Sequence, residues 1–277
     1  MYLFLFFSIK LLSMKFEHKI IWITGASSGI GKALAIELSK MNVKLILSSR
    51  NEPELQKVKI ECANSHNIRI IALDLEKYHE LPSKVEEAIA LFGKIDILFN
   101  NGGISQRSKA IDTSIEVDKK IMAINYFGTV ALSKALLPHF IKQNSGQFVV
   151  ITSVVGKVAT PVRSSYSASK HALHGFFDSL RAETYQYNIK VTLALPGYVK
   201  TNISMNALTG DGAAQNKMDI ATNNGLSPEY FVKALLKAVK KEKNEIYIAG
   251  FREKSAIYLK RFFPNILAKI IRKMAVT

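Results

Sequence analysis

Short apolar segments alternate with longer segments of helical periodicity along most of this 277-residue chain. The apolar segments are continuous runs of valine, isoleucine and leucine, which is typical of parallel strands that are buried on both faces. Strands that alternate with helices of ten or more residues form βαβ units. The sequence therefore predicts one α/β domain, a Rossmann-type doubly wound sheet of about seven parallel strands with helices on both faces. The strands are expected at residues 19–24, 43–48, 68–73, 95–99, 148–152, 190–195 and 245–249.

A glycine-rich turn, TGASSGIG at residues 24–31, follows the first predicted strand directly and leads into a helix. Glycines let a backbone approach a pyrophosphate, and the helix N-terminus adds free N–H groups and the positive end of its dipole. At the first βα junction, such a turn is a strong indication of a dinucleotide site, with a plain tight turn as the alternative. The candidate phosphate-binding residues are Gly25, Ser27, Ser28, Gly29, Ile30 and Gly31.

The second predicted strand ends without an acidic residue. NAD-binding proteins usually carry an acid there for the ribose hydroxyls, but this strand ends in two serines and Arg50 follows. A guanidinium is a forked, charge-assisted partner for a 2′-phosphate. The sequence therefore favours NADP(H), with NAD(H) as the alternative, and the simplest other interpretation is that Arg50 is only solvated.

Tyr166 and Lys170 stand four residues apart in a predicted helix, which places them on one face. An ammonium beside a phenol favours the phenolate and lowers the pKa of the tyrosine, which would let Tyr166 exchange a proton near neutral pH. Ser153 follows the fifth predicted strand, and the carboxyl ends of parallel strands form the ligand crevice. The three side chains are therefore candidates for one catalytic site.

Several motifs occur together in one order, and they are TGASSGIG (24–31), Asp74-Leu75, NNGG (100–103), Asn125, Ser153, YSASK (166–170) and PGYVKT (196–201). In this order and spacing the chain resembles the short-chain dehydrogenase/reductase family from about residue 19 to residue 202. Segments 100–108, 167–183 and 196–208, with the KRFFP of residues 260–264, resemble one branch of it, the dehydrogenase/reductase member 7-like proteins and similar bacterial oxidoreductases.

The resemblance implies a role for each motif residue. Tyr166 would be the general acid in carbonyl reduction and the base in alcohol oxidation. Lys170 would lower its pKa and hold the nicotinamide ribose, Ser153 would hydrogen-bond the reacting oxygen, and Asn125 would hold a water that links Lys170 to solvent. The other cofactor contacts implied are Asp74 with Leu75 at the adenine, Asn101 and Gly102 at the adenosine ribose, and Pro196, Gly197, Val199 and Thr201 on the nicotinamide side. Gly102 departs from the family's Asn-Asn-Ala-Gly, which should loosen the turn slightly because glycine adds backbone freedom.

Three segments are predicted. Residues 16–250 form the dinucleotide-binding domain, with a mobile substrate lid at 203–226 because that stretch is long for a loop. Residues 1–15 are an apolar extension that is too short for a membrane span. Three interpretations are open: a membrane-interface anchor, a cap packed on the domain, or a misassigned start before Met14. Residues 251–277 form a basic amphipathic tail, suited equally to an anionic membrane surface and to covering the body or the mouth of the site.

The formal net charge of +16 raises the question of a nucleic-acid partner. Apart from the tail and a lysine-rich stretch at 233–243, the excess basic residues are scattered along the chain, as on a solvated surface. There is no zinc-finger spacing and no RNA-binding aromatic motif, so no nucleic acid is expected. The lone Cys62 excludes an intrachain disulfide and fits a reducing compartment. His171 and His174 lack a third ligand in the sequence, so no metal is expected.

These observations predict an NADP(H)-dependent oxidoreductase that interconverts a carbonyl and an alcohol by hydride transfer, on a lipophilic small molecule. The alternatives are a non-catalytic, redox-sensing dinucleotide-binding protein and a membrane-surface protein on the same fold. A cytoplasmic location is expected, with peripheral membrane contact through the termini left open. The resemblance also implies a homodimer or homotetramer.

Overall fold

The computed structural model describes residues 16–272, in which seven parallel strands form one sheet in the order β3-β2-β1-β4-β5-β6-β7. The strands are β1 (Ile20–Thr24), β2 (Lys44–Ser49), β3 (Ile68–Ala72), β4 (Ile97–Asn100), β5 (Gly146–Ile151), β6 (Ile189–Pro196) and β7 (Glu245–Ile248). Each lies within two residues of the segment expected from the sequence. The predicted fold class, a doubly wound parallel α/β sheet in a single domain, is confirmed.

Helices join the strands and cover both faces of the sheet. They are α1 (Gly29–Ser39), α2 (Glu52–Glu61), α3 (Leu81–Phe92), α4 (Ile115–Met122), α5 (Thr129–Lys142), α6 (Ser164–Thr184), α7 (Ile220–Asn223), α8 (Pro228–Lys240), α9 (Phe251–Phe262) and α10 (Pro264–Ile271). The apolar runs along the strands explain the two layers, because successive side chains point to opposite faces. In β1, Ile21 and Ile23 pack in the layer of α1, α2 and α8, whereas Ile20 and Trp22 pack in the layer of α3, α5 and α6.

The strand order reverses between β1 and β4. From β1 the chain adds β2 and β3 on one side of the sheet, and it then adds β4 to β7 on the other side. Ile21 of β1 pairs with Leu45 of β2 on one side and with Ile97 of β4 on the other. The chain therefore leaves the carboxyl ends of these two strands in opposite directions, which opens a crevice there.

A π-helical segment, Ala123–Gly128, links α4 and α5 into one long helix. This helix, Ile115–Gln143, is the single one in the described part of the chain that is long and apolar enough to cross a membrane, and 44% of its most apolar stretch is buried against the protein. Leu132 and Leu136 of this helix pack in the core beside β4 and β5.

The end of the described chain forms two helices. α9 ends at Phe262 and α10 starts at Pro264, a residue that has no backbone N–H to continue the first helix. The predictions for residues 1–15, and for the last five residues of the tail, fall outside the described residues.

Candidate active site

The crevice at the carboxyl edge of the sheet is a cleft of about 430 Å³. The turns and loops that follow β1 to β6 all contribute to its walls. Fourteen of the predicted site residues line it: Gly25, Ser27, Ser28, Gly29, Ile30, Arg50, Asp74, Leu75, Asn101, Gly102, Tyr166, Lys170, Pro196 and Thr201.

The glycine-rich turn has a backbone that other residues would disrupt. Gly25 has a φ of +63°, and a Cβ there would lie 2.8 Å from the Cα of Gly102. A Cβ on Gly31 would lie 2.1 Å from the carbonyl oxygen of Gly25, so the start of α1 packs directly on the turn. Ser28 is the N-cap of α1 and its side chain makes no capping hydrogen bond within the described chain. The first N–H groups of α1 therefore point into the cleft, where an anion would complete their hydrogen bonding.

Asn101 holds this turn against the loop after β4. Its Nδ2 donates to the carbonyl oxygens of Thr24 and Gly25 at 3.0 and 3.1 Å. The backbone N–H of Gly102 donates to Thr24 Oγ1 at 3.0 Å. A Cβ on Gly102 would lie 2.6 Å from Leu75 Cδ1, so an alanine at this position requires Leu75 to shift inside the cleft.

The ends of β2 and β3 place opposite charges in the cleft. Arg50 follows β2, and Asp74, which follows β3, accepts a hydrogen bond from the backbone N–H of Glu76 at 3.0 Å. Lys120 of α4 also lines the cleft, although sequence reasoning did not single it out. Among the described lining residues three are basic (Arg50, Lys120, Lys170) and one is acidic (Asp74), so the cleft favours an anionic ligand.

Tyr166, Lys170 and Ser153 meet at the inner end of the cleft. The Ser153 hydroxyl lies beside the Tyr166 phenol and acts to lower the pKa of that phenol. The Nζ of Lys170, one turn along α6, lies 5.9 Å from the centre of the Tyr166 ring and donates to the carbonyl oxygen of Ile151 at 2.9 Å. All three side chains are buried. The structure thus brings the predicted tyrosine, lysine and serine together.

Burial and nearby side chains set the pKa values of this group. Burial raises the pKa of the Tyr166 phenol, against which the Ser153 hydroxyl and then the charges of Arg107 and Arg163 act. Burial also lowers the pKa of Lys170 to about 8. That Lys170 lowers the pKa of Tyr166 stays a prediction.

Asn125 lies behind the cleft wall, in the π-helical segment. Its Oδ1 accepts from the Ile104 N–H at 2.8 Å, and its Nδ2 donates to the Ile104 carbonyl and to Ser169 Oγ at 2.9 and 3.0 Å. A Cβ on Gly103 would lie 3.0 Å from Asn125 Oδ1 and 3.6 Å from Lys170 Nζ, so these two polar groups flank one glycine. π-Helical turns frequently occur at functional sites, and here the turn directs Asn125 toward Ser169 of α6.

Four other predicted residues lie beside the cleft without lining it. Ser153 is the N-cap of the short turn after β5 and accepts from the Val155 N–H at 3.2 Å. Gly31 and Gly197 are packing positions, since a Cβ on Gly197 would lie 2.8 Å from that of Ala249. Val199 is buried and pairs with Leu226 in an isolated parallel bridge.

A buried cluster of charges that sequence reasoning missed lies next to Tyr166. Arg107, in the loop after β4, donates from Nε and Nη2 to Asp219 Oδ2 at 2.8 and 2.5 Å. Arg163, just before α6, approaches the same oxygen at 3.4 Å. All three side chains are at most 5% exposed. The positive charges of the two arginines act to lower the pKa of the Tyr166 phenol.

Gln106 joins this buried cluster to the start of α6. Its Oε1 accepts from the backbone N–H groups of Ser165 and Tyr166 at 2.9 and 3.4 Å, which satisfies two donors in the first turn of α6. Leu208 of the proposed lid donates its N–H to Ser105 and accepts from the Arg107 N–H. The only sequence signal for this buried cluster is the position of Gln106 and Arg107 shortly after the NNGG motif of residues 100–103.

A metal does not fit this part of the chain. Within residues 16–272, no group of three or more histidine, cysteine, aspartate or glutamate side chains is placed to hold a metal ion. His171 hydrogen-bonds the Ser167 carbonyl, and His174 lies 3.4 Å from Glu245.

A doubly wound sheet with a glycine-rich turn and a buried tyrosine–lysine pair at its carboxyl edge places the protein in the class of Rossmann-type α/β proteins. The sequence profile of the short chain dehydrogenases matches residues 19–211. A dehydrogenase/reductase SDR family protein 7-like of Anopheles gambiae is 43% identical, over 96% of this chain and 89% of its own length. Dehydrogenase/reductase SDR family member 7B of Xenopus tropicalis is also 43% identical, over 90% of this chain and 83% of its own length.

Solved structures show the same fold. A short-chain dehydrogenase from Streptomyces avermitilis superposes with a TM-score of 0.76 at 26% identity, over 92% of this chain and 96% of the other. A short-chain dehydrogenase/reductase from Burkholderia phymatum, solved in complex with NAD, superposes with a TM-score of 0.78 at 21% identity, over 91% and 95%. The chain therefore belongs to the short-chain dehydrogenase/reductase family. It is an oxidoreductase of that family, similar to the member 7-like proteins.

Proposed function

We propose that the protein interconverts a carbonyl compound and an alcohol with NADP(H), and that Tyr166 is its general acid and base. The observation that carries this proposal is the position of the Tyr166 phenol. It lies beside the Ser153 hydroxyl, in the cleft that begins at the glycine-rich turn, and Lys170 lies one helical turn away.

The residues of the cleft fit a dinucleotide. Ser27, Ser28 and Gly29 line the cleft at the N-terminus of α1, where a pyrophosphate would meet the free N–H groups of the first turn. In the proposed complex, Asp74 and Leu75 hold the adenine, Asn101 and Gly102 flank the adenosine ribose, Lys170 holds the nicotinamide ribose, and residues 196–201 line the nicotinamide side. When bound, the nicotinamide supplies or accepts the hydride.

In reduction, Ser153 and Tyr166 donate hydrogen bonds to the substrate oxygen as negative charge develops on it. Tyr166 then gives its proton to that oxygen, and in oxidation it takes the proton from the alcohol. The resulting phenolate is stabilised by the charges of Arg107 and Arg163 and by the Ser153 hydroxyl, which act against the burial of the ring. Asn125 fixes Ile104 and Ser169 beside Lys170, and in the proposed mechanism it also holds the water that relays protons from Lys170.

Arg50 supports the choice of NADP(H) over NAD(H). It lines the cleft directly after β2, between Ser49 and Asn51, and the end of β2 carries no acid. An acid at this position would repel a 2′-phosphate, whereas a guanidinium can bind one through two parallel hydrogen bonds.

Apolar side chains in the cleft support a lipophilic substrate. Ile104, Ile203 and Leu208 line the cleft, and the last two belong to segment 203–226, which we propose is the substrate lid. Leu208 is anchored by two backbone hydrogen bonds. Opening the lid therefore requires the movement of a short segment between the Leu208 bridge and Asp219.

We further propose a homodimer or homotetramer that forms through the helices carrying Asn125 and Tyr166. Phe127, which follows Asn125, is 47% exposed and lines a shallow surface groove with Tyr78, Pro82 and Val130. A cytoplasmic location is proposed from the single free thiol, Cys62, which is buried.

Titration of the purified protein with NADPH and with NADH, followed by fluorescence, tests the proposal. We expect NADPH to bind at least about tenfold more tightly, because a charge-assisted pair contributes more than 1.4 kcal/mol. NADPH consumption is then measured with ketones and aldehydes of increasing apolar length, and the rate should rise with that length. Failure of both dinucleotides to bind would overturn the proposal and favour the non-catalytic alternatives.

A further inference from the structure

Helices α9 and α10 expose large apolar side chains to solvent. The described chain has fourteen exposed large apolar side chains, and six of them lie between residues 251 and 270: Phe251, Tyr258, Phe262, Phe263, Ile266 and Ile270. Phe251 is 86% exposed and Phe262 is 68% exposed. In these two helices Leu267 is the one buried side chain. Contiguous apolar exposure on this scale marks an interaction surface.

The exposed side chains form a stripe on each helix. Phe251, Tyr258 and Phe262 are spaced by seven and four residues, which places them on one face of α9. Ile266 and Ile270 are four residues apart and share one face of α10 in the same way. The two stripes meet at Phe263, where the chain turns before Pro264.

Basic side chains flank these stripes. Residues 251–272 contain six lysines and arginines and one acid. Lys254 and Arg261 of α9 are seven residues apart and lie beside the apolar stripe, and both are exposed. The acid, Glu253, is directed to the body, since a Cβ on Gly197 or on Gly250 would lie within 3 Å of its carboxylate oxygens. The solvent-facing surface is therefore apolar along its centre and positive at its edges.

We infer that α9 and α10 lie in the interface of an anionic lipid bilayer, with the phenylalanines and isoleucines in the acyl region and the basic side chains at the lipid headgroups. Charge complementarity selects this occupant, because a second copy would bring an equally positive surface against the first. A loose cover over the body is also disfavoured, because these apolar side chains point away from it.

This surface lies on the same side of the molecule as the cleft. α9 follows β7 at the carboxyl edge of the sheet, and Ala249 and Glu253 pack on Gly197, next to Pro196 in the cleft wall. A bilayer bound to α9 and α10 would then adjoin the cleft on its Pro196 side. The inference does not depend on the proposed reaction.

The test uses the full chain carrying a polarity-sensitive fluorophore on a single introduced thiol. In one variant, Phe262→Cys, the label is on the stripe; in the matched control, Ile60→Cys, it is on an 80% exposed apolar position of α2. The unsubstituted chain, whose Cys62 is buried, gives the background. With phosphatidylcholine vesicles containing phosphatidylserine, the emission of the label at position 262 should shift to the blue and that of the label at position 60 should not. Neither label should shift with phosphatidylcholine alone.

Charge reversal supplies a second measurement on the unlabelled full chain. Lys254→Glu with Arg261→Glu should weaken binding to the anionic vesicles at least about tenfold, because each substitution removes an attraction to the headgroups and adds a repulsion. The matched reversal Lys237→Glu with Lys241→Glu, on exposed positions at the end of α8, should leave the affinity unchanged.

Three results would overturn the inference. Vesicle binding with the label at position 262 still in water would assign the binding to another segment, such as residues 1–15. A blue shift without vesicles that grows with protein concentration would assign the surface to contact between copies. Equal affinity for neutral and anionic vesicles would exclude the role given to the basic side chains.

Discussion

Arg107 and Asp219 form a buried ion pair across 112 residues of sequence, with the guanidinium Nη2 2.5 Å from Oδ2. The pair joins the loop after β4, which contributes to the cleft wall, to the second half of the proposed lid at 203–226. Arg163 approaches the same carboxylate from the N-terminus of the catalytic helix. One aspartate thereby links the three segments that surround Tyr166.

Asp219→Asn should destabilise the protein strongly. The substitution keeps the shape of the side chain but removes the carboxylate that pairs with the buried Arg107, which costs about 3–5 kcal/mol. Urea unfolding followed by circular dichroism measures the loss. Asp211→Asn, in the same segment but fully exposed, is the control and should cause a much smaller change. Equal losses in both variants would show that the buried cluster does not hold the segment.

Arg107→Gln should shift the pH dependence of alcohol oxidation. The positive charge of Arg107 acts to lower the pKa of Tyr166, so its removal raises that pKa. Oxidation needs Tyr166 as a base, and the rising limb of the plot of kcat against pH should therefore move to higher pH. Arg107→Lys keeps the charge, so its pH profile should stay close to that of the wild type. An unchanged profile in Arg107→Gln would remove Arg107 from the electrostatics of the site.

Lys170→Met should change how stability depends on pH. The pKa of the buried lysine is about 8, below its usual value of 10.5, so the folded state binds fewer protons than the unfolded state between these two values. The wild-type protein should therefore gain about 3 kcal/mol relative to the variant as the pH rises from 8 to 10.5, at about 1.4 kcal/mol per unit.

The measurement is the free energy of unfolding in urea at pH 7 and at pH 10, without dinucleotide. Leu173→Met, a buried substitution one turn along α6 that removes no titratable group, is the control. Its difference from the wild type should not vary with pH. A flat difference for Lys170→Met as well would show that the ammonium is not desolvated.

Arg50→Asp should shift the dinucleotide preference toward NADH. The acid would repel a 2′-phosphate and accept hydrogen bonds from ribose hydroxyls. The ratio of kcat/KM values for NADPH and NADH should fall at least about tenfold, which corresponds to 1.4 kcal/mol. Lys57→Asp makes the same change of charge on the exposed surface of α2 and should leave the ratio unaltered. An unchanged ratio in Arg50→Asp would refute the role of Arg50.

The fold and the centre of the site follow from local sequence patterns. Buried parallel strands require continuous apolar runs, and a turn that packs as closely as Gly25 on Gly102 requires glycine, so both leave a readable signal. Tyr166 and Lys170 share one helix, and their spacing alone places them on one face. These features depend on neighbours in the sequence, which is why sequence reasoning found them.

The Arg107–Asp219 pair and the pKa of Tyr166 depend on tertiary structure. Asp219 lies in an irregular segment with no repeating pattern, and its two arginine partners come from different loops. The pKa of Tyr166 is raised mainly by burial, and spacing along a helix does not reveal burial. The π-helical turn that directs Asn125 was hidden in the same way, because its sequence is that of an ordinary apolar helix.

Tyr166→Phe tests the central claim most directly. The phenylalanine keeps the ring in its buried position and removes only the hydroxyl that donates and accepts the proton. The turnover number for carbonyl reduction should fall by at least about a hundredfold, the usual contribution of a positioned acid, while the dissociation constant for NADPH stays within about twofold of the wild-type value. Undiminished turnover with NADPH still bound would contradict the assignment of Tyr166 as the general acid and base.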